Sequence, residues 1–364
     1  MPDVIVAGGG PSGLAAAIAL AERGISVRVT DPQFARPLPF ERGELLPAGG
    51  AEIMARLGLG DHLQAALKIK DVQSVWGAAT LQAHGNNPDL NQYGWGIARN
   101  TLSDAMRTRA QSLGVETRTY RLTDSQRSED GWRVMLASDT EPKHRNTRFL
   151  IDATGRRAMI ARKHGAKRVH DTDLVGLLWH VTAKGAPIMR AQASPDGWWY
   201  KVPHNKGATL GFMTSAQRAK QINDSAANRH AVLDAAPSFA RAIDPDANPY
   251  ALDARSAVLD RVCADGWVAT GDAGASFDPI ASQGLFNALS GGFFAGNAVA
   301  DALGGDPDAP FIYAALAART AERTHAKTHL QYSALPFNTP FWRQRSRQND
   351  GGTSAPKILA KTGI

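Results

Sequence analysis

The sequence predicts an α/β protein in which a parallel sheet is interrupted by a second, strand-rich domain. Three observations support this fold class. A strand, a glycine-rich turn, a helix and a second strand occupy the first 31 residues and end in Asp31. The pattern changes to strands over about residues 166–254. A glycine-rich, sheet-like stretch then begins at Gly266. This order predicts one domain built from two separated parts of the chain.

We expect a discontinuous, Rossmann-like nucleotide-binding domain over residues 1–165 and 255–310. An interleaved α+β substrate domain is expected over 166–254, and part of 70–98 is a candidate to join it. A C-terminal helical segment follows over 311–364. The chain of 364 residues is long enough for this arrangement, because a dinucleotide fold alone needs fewer than about 200 residues.

The N-terminal unit has the spacing of a dinucleotide-binding turn. An apolar run at residues 4–7 predicts a strand, and an alanine-rich run to Leu20 predicts the helix that follows. Gly8 would make the tight turn, Gly10 would let the backbone approach a pyrophosphate, and Gly13 would allow close packing of helix and sheet. The helix N-terminus offers amides to phosphates, and the acid after the second strand would accept a ribose hydroxyl. The predicted contacts are Gly8, Gly10, Pro11, Ser12, Gly13 and Asp31.

Composition excludes several classes of protein. Cys263 is the only cysteine, so no intramolecular disulfide can form, and this usage fits a reducing compartment. The N-terminal apolar run lacks a basic leader and no apolar run reaches about 18 residues, so we expect a cytoplasmic protein without a membrane span. The net charge of +7 is scattered without interleaved aromatics, so no nucleic-acid partner is expected. It fits either a solvated basic surface or attraction of anionic cofactors or an acidic partner.

Shorter elements follow the N-terminal unit. A proline-rich connection at 32–39 leads to the segment RGELLP at 42–47 and a helix-like run at 48–57. Asn100 is suited to cap a helix with apolar residues at helical spacing that stops at Gly114. Three β-rich runs then predict a small meander that returns to the parallel sheet. These runs are 115–120, 131–137 and 147–151.

In the second domain, strand patterns precede a long helical pattern that ends near Ile243. The residues HNKG at 204–207 form a natural hairpin turn between two of these strands. Beyond Pro310, a helical stretch carries Arg319, Arg323 and Lys327 on one face. The predicted strands are 174–181, 198–202 and 209–214.

A second motif indicates which dinucleotide binds. An apolar strand ends in Gly271 and Asp272, at the sheet edge where α/β folds bind ligands, and Asp272 can accept from a ribityl hydroxyl. A loop through Pro279 then opens a helix near Gly284 and Leu285, whose amides could stabilise negative charge on the pyrimidine ring of a reduced flavin. A nicotinamide has no such need, so the motif favours FAD, with a buried helix-capping aspartate as the alternative. No metal site is predicted.

Three motifs together resemble one family across nearly the whole chain. The glycine turn at residue 8, DATGR at 152–156 and the Gly-Asp pair at 271–272 are similar to the FAD-dependent monooxygenase superfamily with the p-hydroxybenzoate hydroxylase fold. That resemblance implies a GR2-type FAD-binding domain holding FAD without a covalent link. It also implies that Arg42 and Arg99 contact the FAD, Asp272 its ribityl chain and residues 279–285 the isoalloxazine edge.

Three further segments resemble the tryptophan-halogenase-like branch of this superfamily. Within that branch they are most similar to flavoprotein maturases that hydroxylate a protein-bound tryptophan. They are GELLP at 43–47, GWWYKVP at 197–203 and PFWR at 340–343. Departures separate the chain from the halogenases themselves. Residues 74–79 contain no lysine where halogenases place one to handle hypohalous acid, and the Trp-x-Trp-x-Ile-Pro signature becomes Trp198-x-Tyr200-x-Val202-Pro203. Ala153 replaces a family glycine, which alters the motif linked to reductant binding.

Oxygen transfer by a flavin needs a pocket that excludes water. Aromatic and apolar residues of the second domain could line it, or could form ordinary core. They are Trp179, Trp198, Trp199, Tyr200, Phe212 and Met213. His180, Lys201 and His204 are possible acid–base groups there, with turn or surface roles as the alternative. Glu44 could position substrate or a proton. The candidate catalytic residues are Glu44, His180, Tyr200, Pro279 and Gln283.

The resemblance implies an FAD-dependent monooxygenase that hydroxylates an indole or phenol, free or within a peptide or protein, through a flavin C4a-hydroperoxide. No second glycine fingerprint is present, so NAD(P)H would bind transiently or a separate reductase would supply electrons. Three alternatives stay open: a flavin-dependent halogenase, a flavoprotein similar to geranylgeranyl reductases, and a maturation factor that docks on a partner protein with largely structural FAD.

Overall fold

The computed structural model describes residues 1–35, 40–76, 82–83, 93–137, 142–170, 173–182, 186–334 and 336–347. The strands are β1 (Val4–Ala7), β2 (Val27–Thr30), β3 (Gly43–Pro47), β4 (Leu67–Ile69), β5 (Asp71–Val75), β6 (Gln82–Ala83), β7 (Gly94–Ala98), β8 (Glu116–Arg118), β9 (Arg121–Ser128), β10 (Gly131–Ala137), β11 (Lys143–Thr147), β12 (Phe149–Asp152), β13 (Arg168–His170), β14 (Val175–Val181), β15 (Ile188–Ser194), β16 (Gly197–His204), β17 (Gly207–Thr214), β18 (Tyr250–Asp253), β19 (Ala257–Leu259), β20 (Cys263–Ala264), β21 (Trp267–Ala269) and β22 (Ala275–Ser276). The α-helices are α1 (Pro11–Glu22), α2 (Gly50–Arg56), α3 (Gly60–Gln64), α4 (Arg99–Ser112), α5 (Met159–Lys163), α6 (Ala216–Asp224), α7 (Ala226–Asp234), α8 (Gly284–Leu303), α9 (Ala309–Ser333) and α10 (Pro340–Arg347).

The nucleotide-binding layer is a six-stranded sheet in the order β20-β21-β12-β1-β2-β8. Strands β8, β2, β1, β12 and β21 run parallel, and β20 is an antiparallel edge. Helix α1 packs against α8 so closely that a Cβ at Gly292 would overlap the carbonyl oxygen of Ser12. The predicted α/β fold class is confirmed, since strands widely separated in sequence meet in one parallel sheet covered by helices.

The second large sheet has seven strands in the order β18-β14-β17-β16-β15-β5-β6. Strand β5, from the region 70–98, lies parallel to β15 at its side. One face of this sheet packs on α6 and α7, through buried residues that include Trp199 and Phe212. The other face carries Trp198 and Met213 and packs near α9 and α10, where Trp342 is fully buried.

The predicted long helix before Ile243 is two helices. Ser225 adopts an extended backbone with φ −138° and ψ 118°, and its hydroxyl accepts a hydrogen bond from the amide of Asn228 at 3.3 Å. Serine competes with helical hydrogen bonding in this way and is favoured at helix N-termini. The break therefore arises from the cap at Ser225. The spacing of apolar residues does not reveal it, because that spacing is helical on both sides of Ser225.

Three small sheets complete the fold, in the orders β3-β7-β4, β11-β10-β9 and β13-β19-β22. The second of these is a meander, but of the three runs predicted to form it only 131–137 lies in it, as β10. The runs 115–120 and 147–151 overlap β8 and β12 of the parallel sheet, and the unpredicted strands β9 and β11 complete the meander. The first places β3 and β7 beside the hairpin end of β16, where Pro203 approaches the backbone of Gly96. Among the residues that the structure describes, no helix combines the length and apolar character needed to span a membrane.

Candidate active site

A cavity of about 560 Å³ lies between the parallel sheet, strand β3 and the seven-stranded sheet. Its walls include the start of α1, strand β3 with the start of α4, the cavity face of the seven-stranded sheet, the segment 153–156 and the segment 272–288. This position is the carboxyl edge of parallel strands, where α/β sheets bind ligands. The predicted cofactor-binding and catalytic residues that line it are Gly10, Pro11, Ser12, Arg42, Glu44, Arg99, Tyr200, Asp272, Pro279, Gly284 and Leu285.

The three glycines of the N-terminal turn have different surroundings. Gly8 has φ +109°, and a Cβ there would overlap the carbonyl oxygen of Ala153. A Cβ at Gly13 would overlap the carbonyl oxygen of Gly8. Gly10, in contrast, has no atom within 4 Å of its Cβ position, and it lines the cavity. Gly8 and Gly13 therefore let strand and helix approach, whereas Gly10 leaves room beside the backbone for a ligand.

Asp31 ends β2 and braces the glycine turn. Its Oδ2 accepts a hydrogen bond from the amide of Gly9 at 2.7 Å, and its Oδ1 accepts from the amide of Gln33 at 2.8 Å. A carboxylate oxygen has more than one lone pair, so either oxygen can also accept from a ribose hydroxyl. Asp31 does not line the 560 Å³ cavity and lies beside the far end of the turn.

Glu44 joins the two predicted FAD-contacting arginines. Its Oε1 accepts from Nη2 of Arg42 at 2.6 Å and from Nη1 of Arg99 at 2.9 Å, and its Oε2 accepts from the same Arg99 nitrogen at 3.0 Å. Burial disfavours the charged carboxylate, but the charges and hydrogen bonds of Arg99 and Arg42 outweigh it, so the pKa of Glu44 lies below its usual range. Glu44 is therefore ionised and orients both guanidinium groups along the cavity.

Gly271 and Asp272 place a carboxylate opposite the glycine turn. Gly271 has φ +59°, and a Cβ there would overlap the hydroxyl of Ser12, so the two turns meet closely. The side chain of Asp272 is 48% exposed, with Oδ2 lying 3.7 Å from Nε of Arg156. The backbone oxygen of Asp272 accepts from Arg168 at 3.0 Å. The carboxylate thus stays open to a ligand while its backbone is fixed.

The segment before α8 forms the opposite edge. Asp278 is 2% exposed and its Oδ1 accepts from the amide of Ile280 at 3.0 Å, which fixes the short turn through Pro279. Helix α8 has no side-chain cap, and its first helical amide hydrogen bond is that of Asn287 to Gln283. The amides of Gly284, Leu285 and Phe286 are thus available, with the positive end of the helix dipole, for a negatively charged group.

The aromatic residues predicted to line a pocket divide between the two faces of the sheet. Trp198, Tyr200 and Met213 line the cavity. Trp179, Trp199 and Phe212 lie on the other face, in the core beneath α6 and α7. Successive side chains of a strand point to opposite faces, which separates Trp198 from Trp199. Burial raises the pKa of Tyr200, so its phenol is neutral and can donate a hydrogen bond into the cavity.

Two catalytic candidates are placed away from this cavity. Gln283 lines a separate cavity of about 310 Å³ beside α9. His180 stacks near Phe40 and His204, with 5.5 Å between the two imidazole centroids. Burial lowers the pKa of His204 to about 4, so this imidazole is neutral. Neither histidine lines the 560 Å³ cavity, and neither does Lys201.

The structure also shows functional neighbours that sequence reasoning missed. The hydroxyl of Tyr332 donates to Oδ2 of Asp278 at 2.9 Å and accepts from Nε1 of Trp198 at 3.1 Å. This chain links helix α9 to the turn before α8 and to the cavity wall. An aspartate before Pro279 is a turn signal that could have been noticed. Tyr332 has no local signal, because its partners lie far away in sequence.

The acid of the central DATGR motif is structural. Asp152 is fully buried, and its Oδ2 accepts from the amides of Ile160 and Ala161 at 2.8 and 2.9 Å. Its Oδ1 accepts from the hydroxyl of Thr154 at 2.6 Å. Burial raises the pKa of Asp152 despite these bonds. The motif thus fixes the start of α5 and brings Arg156 to the cavity rim.

These residues fit FAD. The open side of Gly10 and the unpaired amides at the starts of α1 and α8 suit phosphates and a charged flavin ring respectively. Arg42, Arg99 and Asp272 supply the charged and hydroxyl-accepting groups between them. One cavity therefore extends from the expected pyrophosphate contact at Gly10 to the expected flavin contact at the start of α8.

Comparisons with known proteins agree with this geometry. The model of the FAD binding domain family matches residues 1–326. The flavin-dependent halogenase otaD of Aspergillus carbonarius is 24% identical over 352 residues, covering 83% of this chain and 68% of its own length. The chain thus spans about two thirds of that relative.

Solved structures show the same fold. The flavin-dependent halogenase CmlS superposes with a TM-score of 0.81 at 21% identity, covering 94% of this chain and 67% of its own. The peptidyl tryptophan dihydroxylase QhpG, described as essential for tryptophylquinone cofactor biogenesis, superposes with a TM-score of 0.74 at 24% identity, covering 94% and 78%. At these identities the structural likeness establishes the fold alone. Since the family model matches residues 1–326 and the cavity fits FAD, the chain belongs to the FAD binding domain family, a family of FAD-dependent enzymes.

Proposed function

We propose that this chain is a monooxygenase that hydroxylates an aromatic ring, an indole or a phenol, either free or within a peptide or protein. The observation that carries the proposal is the wall of the cavity beside Pro279. This wall is apolar and aromatic, and the described residues that line it include no lysine. FAD, when bound, supplies the activation of oxygen, while the protein supplies binding, orientation and exclusion of water.

The cations of the cavity support oxygen transfer over halide transfer. Halogenases use a positioned lysine amine to direct hypohalous acid, and the described cations here are Arg42, Arg99 and Arg156. The first two are bound to Glu44. Lys68 and Lys70 are exposed and do not line the cavity. Ala78 and Ala79, at the lysine region of halogenases, lie outside the described residues.

The residues that line the cavity have different roles in this proposal. Trp198 and Met213 form a wall that excludes water from the reacting ring, and Tyr200 donates a hydrogen bond that orients it. Glu44 holds the two arginines at the cofactor and is ionised, so it acts as an orienting anion and not as a proton donor. We expect FAD to be held without a covalent link, because the described residues that line the cavity include neither a cysteine nor a histidine that could bond to the flavin ring.

An isotope experiment tests the reaction type. FAD-loaded protein is supplied with NADH or NADPH, alone and with a flavin reductase, and with indole, phenol and a tryptophan-containing peptide. Under ¹⁸O₂ we expect one labelled oxygen in a hydroxylated product, unchanged by chloride or bromide. The K68Q/K70Q variant should behave as the parent. A halogenated product would instead support the halogenase alternative, and product oxygen derived only from water would overturn the proposal.

A further inference from the structure

A second cavity, of about 310 Å³, lies between helices α8 and α9 and takes no part in the proposed reaction. Its volume is at the lower end of small-molecule sites, which span about 300–1,000 Å³. It adjoins the cofactor cavity, because Asp272, Phe277, Gly284 and Ala288 line both. The first turn of α8 therefore separates the two cavities.

The body of this second cavity is apolar and aromatic. Phe286 and Phe294 contribute from α8, Tyr313 and Leu316 from α9, and Phe277 from the segment before α8. Phe294 and Leu316 remain 43% and 41% exposed, so both leave apolar surface in contact with water. A ligand with an apolar body would cover both and gain binding free energy from the apolar surface that it removes from water.

One end of the cavity is cationic. Arg323 and Lys327 stand four residues apart on α9, so they lie on one face of the helix and both reach the cavity. Neither forms an ion pair with any residue of the described part of the chain. By contrast, Arg56 and Lys220 at the same helical spacing are paired with Glu52 and Asp224. The two cavity cations are thus free to bind an anion.

The wall formed by α8 also contains a buried hydrogen-bond donor without a partner. The side-chain amide nitrogen of Asn287 is buried and makes no hydrogen bond within the described residues. Asn287 lines the cavity one turn into α8. A buried polar group without a partner is destabilising, and an acceptor on a ligand would relieve that cost.

We propose that this second cavity binds an amphipathic monoanion, with an aromatic or aliphatic body against Phe286, Phe294 and Leu316 and a carboxylate held by Arg323 and Lys327. Leu316 precedes Arg323 by seven residues on α9, about 10 Å along the helix axis, so an apolar part and a cationic part of the cavity are offset along the helix. This offset matches the two ends of such a molecule. The site is separate from the proposed hydroxylation, so its occupancy can be measured whether or not the chain hydroxylates any ring.

The test uses 4-phenylbutyrate as the probe and 4-phenylbutanol as its uncharged match, titrated calorimetrically into FAD-loaded protein. We expect the carboxylate to bind about tenfold more tightly than the alcohol, since hydrogen bonds between ionised groups are the strong ones. The R323Q/K327Q variant should lose about tenfold in affinity for the carboxylate and little for the alcohol.

Two further variants give the location. R319Q changes an exposed cation on the same helix that does not line the cavity, and it should bind the probe as the parent does. L316W fills the apolar part and should abolish binding of both molecules, while flavin absorbance shows that each variant retains FAD. Undetectable binding of 4-phenylbutyrate to the parent, or parent-like binding to R323Q/K327Q, would overturn the site. An equal loss of affinity in R319Q would show that the effect comes from the net charge of the protein, and this would also overturn the site.

Discussion

Nη1 of Arg99 lies 2.9 Å from Oε1 and 3.0 Å from Oε2 of Glu44, so one nitrogen at the start of α4 holds both oxygens of a carboxylate on β3. The two elements are 55 residues apart in sequence and meet at the wall of the cofactor cavity. The position of this wall therefore depends on a charge cluster that no single segment forms.

Replacing Glu44 tests that cluster. In E44Q the arginines lose their shared anion and repel each other, so we expect the free energy of unfolding to fall by about 1.5–3 kcal/mol and FAD to bind less tightly. Urea denaturation and FAD titration measure the two effects. The control E52Q breaks an exposed pair with Arg56 and should change stability by less than about 0.5 kcal/mol. Equal effects of the two variants would contradict a special role for Glu44.

Asp272 should determine how tightly FAD is retained. D272A removes the acceptor proposed for a ribityl hydroxyl, so the binding free energy should weaken by about 1–3 kcal/mol. D272N keeps a neutral acceptor oxygen and should lie between D272A and the parent. Fluorescence titration of the apoprotein with FAD gives the three affinities. If D272A bound FAD as tightly as the parent, the side chain would have only a structural role.

Tyr332 should stabilise the cavity wall from a distance. Y332F removes the hydroxyl that links Trp198 to Asp278, and loss of a buried hydrogen-bonding partner should cost about 1–3 kcal/mol of unfolding free energy. Y250F is the matched control, because Tyr250 lines the same cavity but is 38% exposed. Thermal denaturation compares them. A larger loss in Y250F than in Y332F would argue against the linkage.

His204 should make stability depend on pH in the acid range. Burial lowers its pKa from 6.5 to about 4, so the folded protein binds fewer protons than the unfolded chain between these values. The contribution is fully present above pH 6.5, the unfolded value, and is lost as pH falls towards 4. It amounts to at most about 3 kcal/mol.

The variant H204N measures this contribution. In the parent, the amide of Lys206 donates to Nδ1 of His204 at 3.3 Å. An asparagine at position 204 offers an acceptor to the same amide but does not titrate. We expect the stability difference between parent and H204N to shrink between pH 7 and pH 4.5, and the variant H144N, at an exposed position of β11, is the control for replacing a histidine. A parent and H204N that lose stability in parallel would contradict the prediction.

Local sequence predicted much of the nucleotide-binding layer. The glycine spacing at Gly8, Gly10 and Gly13 and the Gly-Asp pair at 271–272 act through neighbouring backbone, so their geometry is encoded within a few residues. The turn at 204–207 likewise needed only its own sequence to join β16 and β17. The resemblance built on these motifs identified the family, which the match over residues 1–326 confirms.

Placement across elements was harder to predict. A helix-like pattern ran through Ser225, where a side-chain cap divides α6 from α7. Gln283 was expected beside the flavin, but the start of α8 turns it into the neighbouring cavity. His180 was a candidate acid or base, but its strand carries it to Phe40 and His204. In each case the sequence shows the residue type but not the direction in which the chain turns.

By itself the sequence determined that a dinucleotide fold with FAD-type motifs would form, because a turn, a helix start and a strand end depend on residues close along the chain. Only the tertiary structure decided that Trp198 faces the cofactor cavity while Trp199 faces α6 and α7. The period of two in a strand separates the faces, but the packing of distant elements chooses which one meets the cofactor. The same holds for Tyr332, since a hydrogen bond between residues 54 positions apart exists only once helix α9 has packed beside the turn at Asp278.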